Sequence, residues 1–374
     1  MGPQDSVWTH RLALDSRRVV LDVVILGVGA RSHVGLDALQ TTLATRANKM
    51  RVRESHMIDR QGEPIGTCRL ESISDAVQGL PRFVALAVPP LVQATFAWRK
   101  LLSARGPIPP LPVVIALPTT ERPGFDRRLL RDLFPWLQHQ SGIVLDPRSS
   151  LTVEQDRGGG VLAFIRAIEI LEEGLSDVVA VGGVDSYFDP DVLESLDAEL
   201  RLHALATENG FIPGEGAGFL LLARRSRATG FAKLGKILGV AVEDEPRPWG
   251  ADEPCQGLGM SAAIRRAAGS MARGRHIPWA LTDVANERHR VDEWQIAQGR
   301  CFQAFSPELR HDQPLLKTGD VGAASAAMLA AMACVHWAIG SAPGDLALVA
   351  THSDGPERGA LLLGATEESG GALP

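Results

Sequence analysis

The stretch from Val178 to Leu222 constrains this chain more than any other. It opens with the apolar run Val178-Val-Ala-Val-Gly-Gly-Val-Asp-Ser186 and closes with Asn209-Gly-Phe-Ile-Pro-Gly-Glu-Gly-Ala-Gly-Phe-Leu-Leu-Leu222. The first run carries a glycine pair, and the second is approached through Gly210, Gly214, Gly216 and Gly218. Glycines so placed let the backbone take positive φ or pass close against another backbone, where a side chain would block it.

A chain of 374 residues with 45% hydrophobic content can fill a large core or two fused halves. Val19 to Gly27 reads as a buried strand, followed by a helix from Leu36 to Ala47. Val84–Val88 and Val113–Leu117 read as short strands stopped by proline, with a helix Pro90–Ala104 between them. A small strand at Val144, a helix Gly159–Gly174 and a strand Val178–Gly182 follow. The second part repeats this grammar: strands Gly218–Ala223 and Lys233–Val242, helix Met260–Met271, strand Trp279–Val284, helix Gly322–Ile339, then a pair at Leu346–Thr351 and Gly359–Leu363. Alternation of this kind indicates layered α/β architecture with mostly parallel strands. We divide the chain at 19–224 and 225–365, with loosely held ends at 1–18 and 366–374 and a surface loop at Asp244–Cys255.

Composition removes several function classes. The net charge of −6 comes from mixed charges without a basic stripe, which speaks against nucleic acid. Cys68, Cys255, Cys301 and Cys334 lack the paired spacing of a zinc or redox motif and read as reduced thiols of a cytoplasmic protein. No metal or cofactor is expected. Residues 1–20 lack a signal-peptide core, and no apolar run reaches bilayer length; Val321–Ile339 reads as a buried helix. With a single tyrosine and 5% aromatic content, the chain offers no stacking platform. Gly27-Val-Gly29 with Gly35 departs from dinucleotide-binding spacing, and Asp37 follows too early for a ribose-binding acid. A Gly-x-Ser-x-Gly elbow is absent.

The motif Gly210-Phe-Ile-Pro-Gly-Glu-Gly-Ala-Gly218 resembles the centre of the β-ketoacyl synthases, condensing enzymes of the thiolase fold. Further segments align in order: Ile25–Ala30 with Val34–Asp37, Ala163–Gly183, Asp283–Trp294, Lys317–Ser325 and Ser353–Leu363. The resemblance spans about 25–365 and implies a five-layered α/β/α/β/α fold of two duplicated halves. It also implies a dimer whose seam includes Val178–Val181 and the preceding segment.

The same alignment implies a degenerate site. The family's nucleophilic cysteine falls on Arg157 or Gly158, within Glu154-Gln-Asp-Arg-Gly-Gly-Gly160. A guanidinium remains protonated and cannot attack an acyl group. The two histidines that steady a developing enolate fall on Ala285 or Asn286, and on Gly319 or Asp320. His289 and His352 are displaced candidates for the pocket. Lys317 matches the family's pocket lysine, with Glu287 or Glu293 as its partner. Arg157 with Asp320 is the simplest other ion pair. Gly214, Glu215, Gly216 and Gly218 form a structural loop in which Glu215 accepts backbone amides.

The function implied is a non-catalytic synthase-like subunit or scaffold, resembling chain-length factors or the degenerate synthases found beside type VI secretion effectors. Expected partners are a second copy or a related synthase subunit, an acyl carrier protein, or a secreted effector. The rival reading is an acyltransferase of the 3-oxoacyl-carrier-protein synthase type that uses His289, Asp320 or Lys317.

Overall fold

The apolar runs and helical patterns resolve into two sets of elements with one grammar. The computed structural model describes residues 22–204 and 207–370. The first set comprises β1 (Val23–Ser32), α1 (Ala38–Arg46), β2 (Arg53–Ile58), β3 (Pro64–Thr67), α2 (Leu80–Ser103), β4 (Val113–Leu117), α3 (Arg128–Ser141), β5 (Leu151–Glu154), α4 (Asp156–Glu172), β6 (Val178–Ser186), α5 (Pro190–Ala198) and β7 (Glu215–Arg224). The second comprises β8 (Gly235–Asp244), α6 (Leu258–Ala268), β9 (Ile277–Thr282), α7 (Arg288–Arg300), β10 (Phe305–Asp312), α8 (Leu315–Thr318), α9 (Ser325–Ala338), β11 (Leu346–His352) and β12 (Glu357–Gly364).

Ten strands form one sheet in the order β10-β9-β11-β12-β8-β1-β7-β6-β4-β5, and β2 with β3 stands apart as a hairpin. Counted within its own set, each run of sheet strands follows the same spatial order from edge to centre, third, second, fourth, fifth, first. The directions match as well: β4 is parallel to β5 and β6, and β9 to β10 and β11. The two runs meet where β1 and β8 pair antiparallel at Val23–Ile237, Val24–Lys236 and Ile25–Gly235.

Helices α4 and α9 lie between the two half-sheets. Their side chains share one cluster with Val181 and Leu220 of the first run and with Leu281, Val349 and Leu361 of the second. Helix α9 is buried nearly all round, so its alanines serve a middle layer with no solvent face. Helices α2 and α3 cover the outer face of the first half, and α6 and α7 that of the second. The result is the expected α/β/α/β/α stack. Two glycines explain how backbones come so close. A Cβ at Gly29 of β1 would lie 2.0 Å from the carbonyl oxygen of Pro90 in α2, and one at Gly183 of β6 2.2 Å from that of Ala323.

Several local expectations fail for identifiable reasons. Val84–Val88 is not a strand but part of α2, which continues through Pro89 and Pro90. Proline at 89 removes the donor that would reach the Ala85 carbonyl, and Arg31 Nη1 donates to that oxygen instead at 2.8 Å. Contrary to the sequence reading, α2 is long and apolar enough to cross a bilayer by length and composition, yet 56% of its apolar window is buried in this fold. Its buried face packs against β1 and β7. Val144 is not a strand, since only a bridge between Leu111 and Leu145 forms there, and β5 lies just beyond it. Strand β6 is paired on both sides, with β4 and β7. The outermost strands are β5 and β10.

The start of the first predicted strand and residues 1–18 and 371–374 lie outside the described residues. Residues 366–370 make side-chain contacts with the start of the second half. Ser369 is buried and donates through Oγ to Leu234 O at 3.0 Å, and Lys233 Nζ sits 2.8 Å from Glu368. The close approach at β1 yields a test. Gly29→Ala should lower unfolding stability by about 1–3 kcal/mol or more, because the obstacle is backbone, as read from urea denaturation midpoints.

Candidate functional site

Glycine-rich segments from both halves assemble the site's frame. Gly214 N–H donates to Asp320 O at 2.9 Å, and Asp320 N–H donates to Ile212 O at 2.9 Å. A Cβ at Gly214 would lie 2.8 Å from Thr318 O and 2.9 Å from Asp320 O, and at Gly218 2.6 Å from Met328 N. At Gly216 it would meet Arg31 O at 2.8 Å. Glu215 is fully buried and does organise this loop, although only one of its donors is a backbone amide, Leu70 N–H at 2.8 Å. The others are Ser186 Oγ at 2.8 Å and a two-pronged Arg82 guanidinium at 2.5 and 2.7 Å.

On this frame three arginines and three carboxylates close an alternating ring. Arg157 Nη2 donates to Asp320 Oδ2 at 2.7 Å, and Arg290 Nη1 lies 2.8 Å from the same oxygen. Arg290 also pairs with Glu287. Glu287 accepts from Arg201 Nε at 2.8 Å, Arg201 Nη1 donates to Asp354 Oδ2 at 2.8 Å, and Asp354 Oδ1 accepts from Arg157 Nη1 at 3.1 Å. Phe211 occupies the middle, with the Arg157, Arg201 and Arg290 guanidinium carbons 5.9, 5.5 and 5.6 Å from its ring centre. Tyr187 Oη accepts from Arg157 Nη2 at 2.9 Å.

Burial by itself would raise the Asp320 carboxyl, but Arg157 and Arg290 outweigh it and hold the acid well below the ordinary carboxylate range. Asp354 and Glu287 are depressed against the same burial effect, by Arg157 and Arg201 for the first and by Arg290 and Arg201 for the second. Burial pushes the Tyr187 phenol up.

The expected residues divide sharply. Arg157, Glu287 and Asp320 come together, with Arg157 and Asp320 directly paired. Lys317 does not join them: Glu287 is held by Arg201 and Arg290, and Glu293 by Arg358 at 2.5 Å. Asn286 is exposed and donates to Glu208 O at 2.6 Å and Gly210 O at 3.1 Å, while Ala285 packs in a small apolar cluster with Tyr187 and Phe211. His289 stacks on Trp249 at 5.4 Å, and burial lowers its pKa to about 4. His352 is buried with Nδ1 2.7 Å from Asp283 Oδ1. Gly158 donates its N–H to Ser353 Oγ at 2.8 Å. Arg201, Arg290 and Asp354 were not anticipated. Arg290 stands three residues after Glu287 at a helix start, a spacing legible as a pair; Asp354 carries no such signal.

A cavity of about 460 Å³ opens in front of the ring, bounded by Arg157, Arg201, Tyr187, Phe211, Asp354 and Trp249. Asp156, the first residue of α4, also lines it. Asp156 has φ of 45°, a left-handed conformation that costs a non-glycine residue of order 1–3 kcal/mol. Its Oδ1 accepts from Thr119 N–H at 3.1 Å, and burial raises its pKa.

The β-ketoacyl synthase N-terminal domain family matches residues 150–228, which contain α4, β6 and the glycine-rich approach to β7. The pikromycin polyketide synthase component PikAIII of Streptomyces venezuelae is 33% identical over 127 residues, covering 32% of this chain and 8% of that protein. The chain thus spans only a small part of this curated relative. A type II polyketide ketosynthase solved in complex with its acyl carrier protein superposes with TM-score 0.73 at 15% identity, over 93% of this chain and 100% of the other. A ketosynthase complex with its chain length factor from Xenorhabdus doucetiae gives 0.72 at 15%, over 92% and 98%. The ishigamide ketosynthase/chain length factor gives 0.66 at 19%, over 92% and 99%. This chain is ketosynthase-like and has the thiolase fold.

Breaking one member of a buried charge set strands its partners. Arg157→Ala should lower stability by about 3–5 kcal/mol in urea denaturation. The depressed carboxylates set the pH dependence. Their contribution is full above the unfolded-state value near pH 4 and is lost as pH falls toward the folded values, because the unfolded chain then binds more protons. Stability measured between about pH 5 and 2 should therefore fall steeply with acid, and Asp320→Asn should flatten that slope.

Proposed function

We propose that this chain is a non-catalytic ketosynthase-like subunit that acts by association, shaping or stabilising a partner rather than condensing acyl groups. The observation carrying the reading is the closed ring around Phe211, which sets Arg157 and two other paired arginines beside the start of α4, where the resemblance puts a thiolate. The cysteines support it from the other side. Burial pushes Cys68 and Cys255 up to about 12 and also raises Cys301 and Cys334, and none of the four lines the cavity. A thiol so shifted carries almost no thiolate at neutral pH.

Solved relatives include ketosynthases paired with chain length factors and with an acyl carrier protein. By that likeness the partner is a related synthase subunit or a second copy, in fatty acid or polyketide biosynthesis; association with a secreted effector is the other form of the same scaffold role. The end strand β5 supports assembly, since among the described residues one of its sides is unpaired and edges of this kind are sites for strand pairing. Light scattering should give a mass near twice 40.0 kDa, or a tight heterocomplex with a neighbouring synthase subunit. A stable micromolar monomer that captures no such subunit would sink the proposal.

One observation favours an enzyme instead: Asp156 is strained, faces the cavity and has a raised pKa. Strain of this kind concentrates at functional sites. The two readings separate by experiment. Incubation with a radiolabelled acyl thioester should leave the chain unlabelled and release no free thiol. Thiol release accompanied by movement of the labelled acyl group onto an added acceptor thioester, both lost in Asp156→Asn, would establish the acyltransferase reading.

A further inference from the structure

Outside the ring, a second buried cluster has charges that do not balance. Glu245 follows β8 directly and is 1% exposed. Its Oε2 accepts from Gly259 N–H at 2.8 Å, in the first turn of α6, while Oε1 has no hydrogen-bond partner. No cation pairs with Glu245 among the described residues. Glu293 of α7 is 3% exposed and holds Arg358 through Oε1 at 2.5 Å. The half-buried Cys255 completes the group: its Sγ and one oxygen from each glutamate all lie within 4.8 Å of one another.

Two carboxylates against one guanidinium leave a negative charge over, in a place where an uncompensated charge is costly. A dication held by both carboxylates and by the Cys255 thiolate, with the thiol proton released to solvent, brings the same cluster to neutrality. We propose that Glu245, Cys255 and Glu293 form a binding site for a zinc-like transition-metal dication. The donor set selects the class: magnesium and calcium favour all-oxygen shells, whereas a sulfur with carboxylates suits zinc or cobalt. Donors around tetrahedral zinc stand about 3.5 Å apart, so small side-chain rotations close the site. Arg358 then becomes an outer partner that orients Glu293. A fourth position remains for water.

The site also has a place in the fold. Glu245 and Cys255 bracket the loop that carries Trp249, and Trp249 covers Arg201 at 4.6 Å and stacks on His289 at the cavity wall. Metal binding would pin both ends of that loop and fix the wall. The inference stands independently of the proposed scaffold role.

The test uses the full chain, reduced and stripped with chelator, titrated with cobalt(II) while absorbance is followed. A single equivalent should bind with a thiolate-to-cobalt charge-transfer band, and zinc should displace it and raise the melting temperature. Cys255→Ser should lose the band, whereas Cys301→Ser, at a buried thiol outside the cluster, should keep it. Glu245→Gln should weaken cobalt binding about tenfold or more while leaving the metal-free melting temperature equal or higher, since it removes the unpaired charge. No band in the wild type, a band surviving Cys255→Ser, or unweakened binding in Glu245→Gln would overturn the site. The glutamine variant keeps the test valid even if the serine variant fails to fold.

Discussion

Three guanidiniums and three carboxylates, each alone, would cost several kcal/mol to remove from water. In this chain they alternate around one phenylalanine, so each charge has two opposite neighbours and a face of the Phe211 ring beside each arginine. The chain segments that meet there depend on that closure. Arg157 sits in the first turn of α4, Arg201 beyond α5, Glu287 and Arg290 at the start of α7, Asp320 before α9, and Asp354 in the turn after β11. Arg157 and Arg201 come from the first set of elements and the rest from the second. The ring is therefore a clamp between halves.

The clamp is possible because the backbones around it are unusually close. Asp320 exchanges two hydrogen bonds with the 212–214 strip, which leaves no room for a side chain at Gly214. The same tightness brings α9 against β7 at Gly218 and α2 against β1 at Gly29. Glu215 anchors the strip from below through Arg82, a second buried pair on the outer face of the first half. Glycine packing and ion pairing thus act on one region from two directions. What remains open is a cavity with charged walls, lined in part by the strained Asp156.

The resemblance to ketosynthases and this geometry fit together without implying shared chemistry. Two central helices and a glycine-lined approach match the ketosynthase fold. In front of α4 lies a self-neutralising charge network, a stable arrangement only if all six members stay together.

Much of this was legible from residues alone. Binary patterning placed β4, α4, β6, β7, β8 and α9, because long buried runs leave no ambiguity about what must be inside. Arg157 and Asp320 stood out because the resemblance to β-ketoacyl synthases lays them on the positions of the nucleophile and of a histidine, where two opposite charges would have to pair. Other features were decided by tertiary contacts. Val84–Val88 joined a helix despite two prolines because Arg31, far along the chain, supplied a donor. Lys317 stayed out of the network because arginines, with more donors in a rigid fork, took both glutamates. The ring itself was invisible in sequence, since its six members span 157 to 354 and no local spacing records a closed circuit. By itself the sequence determined which segments are buried and that some charge must be buried with them. Only the tertiary structure decided which charges meet, because the energy of a buried ion depends on distances that one-dimensional order does not set.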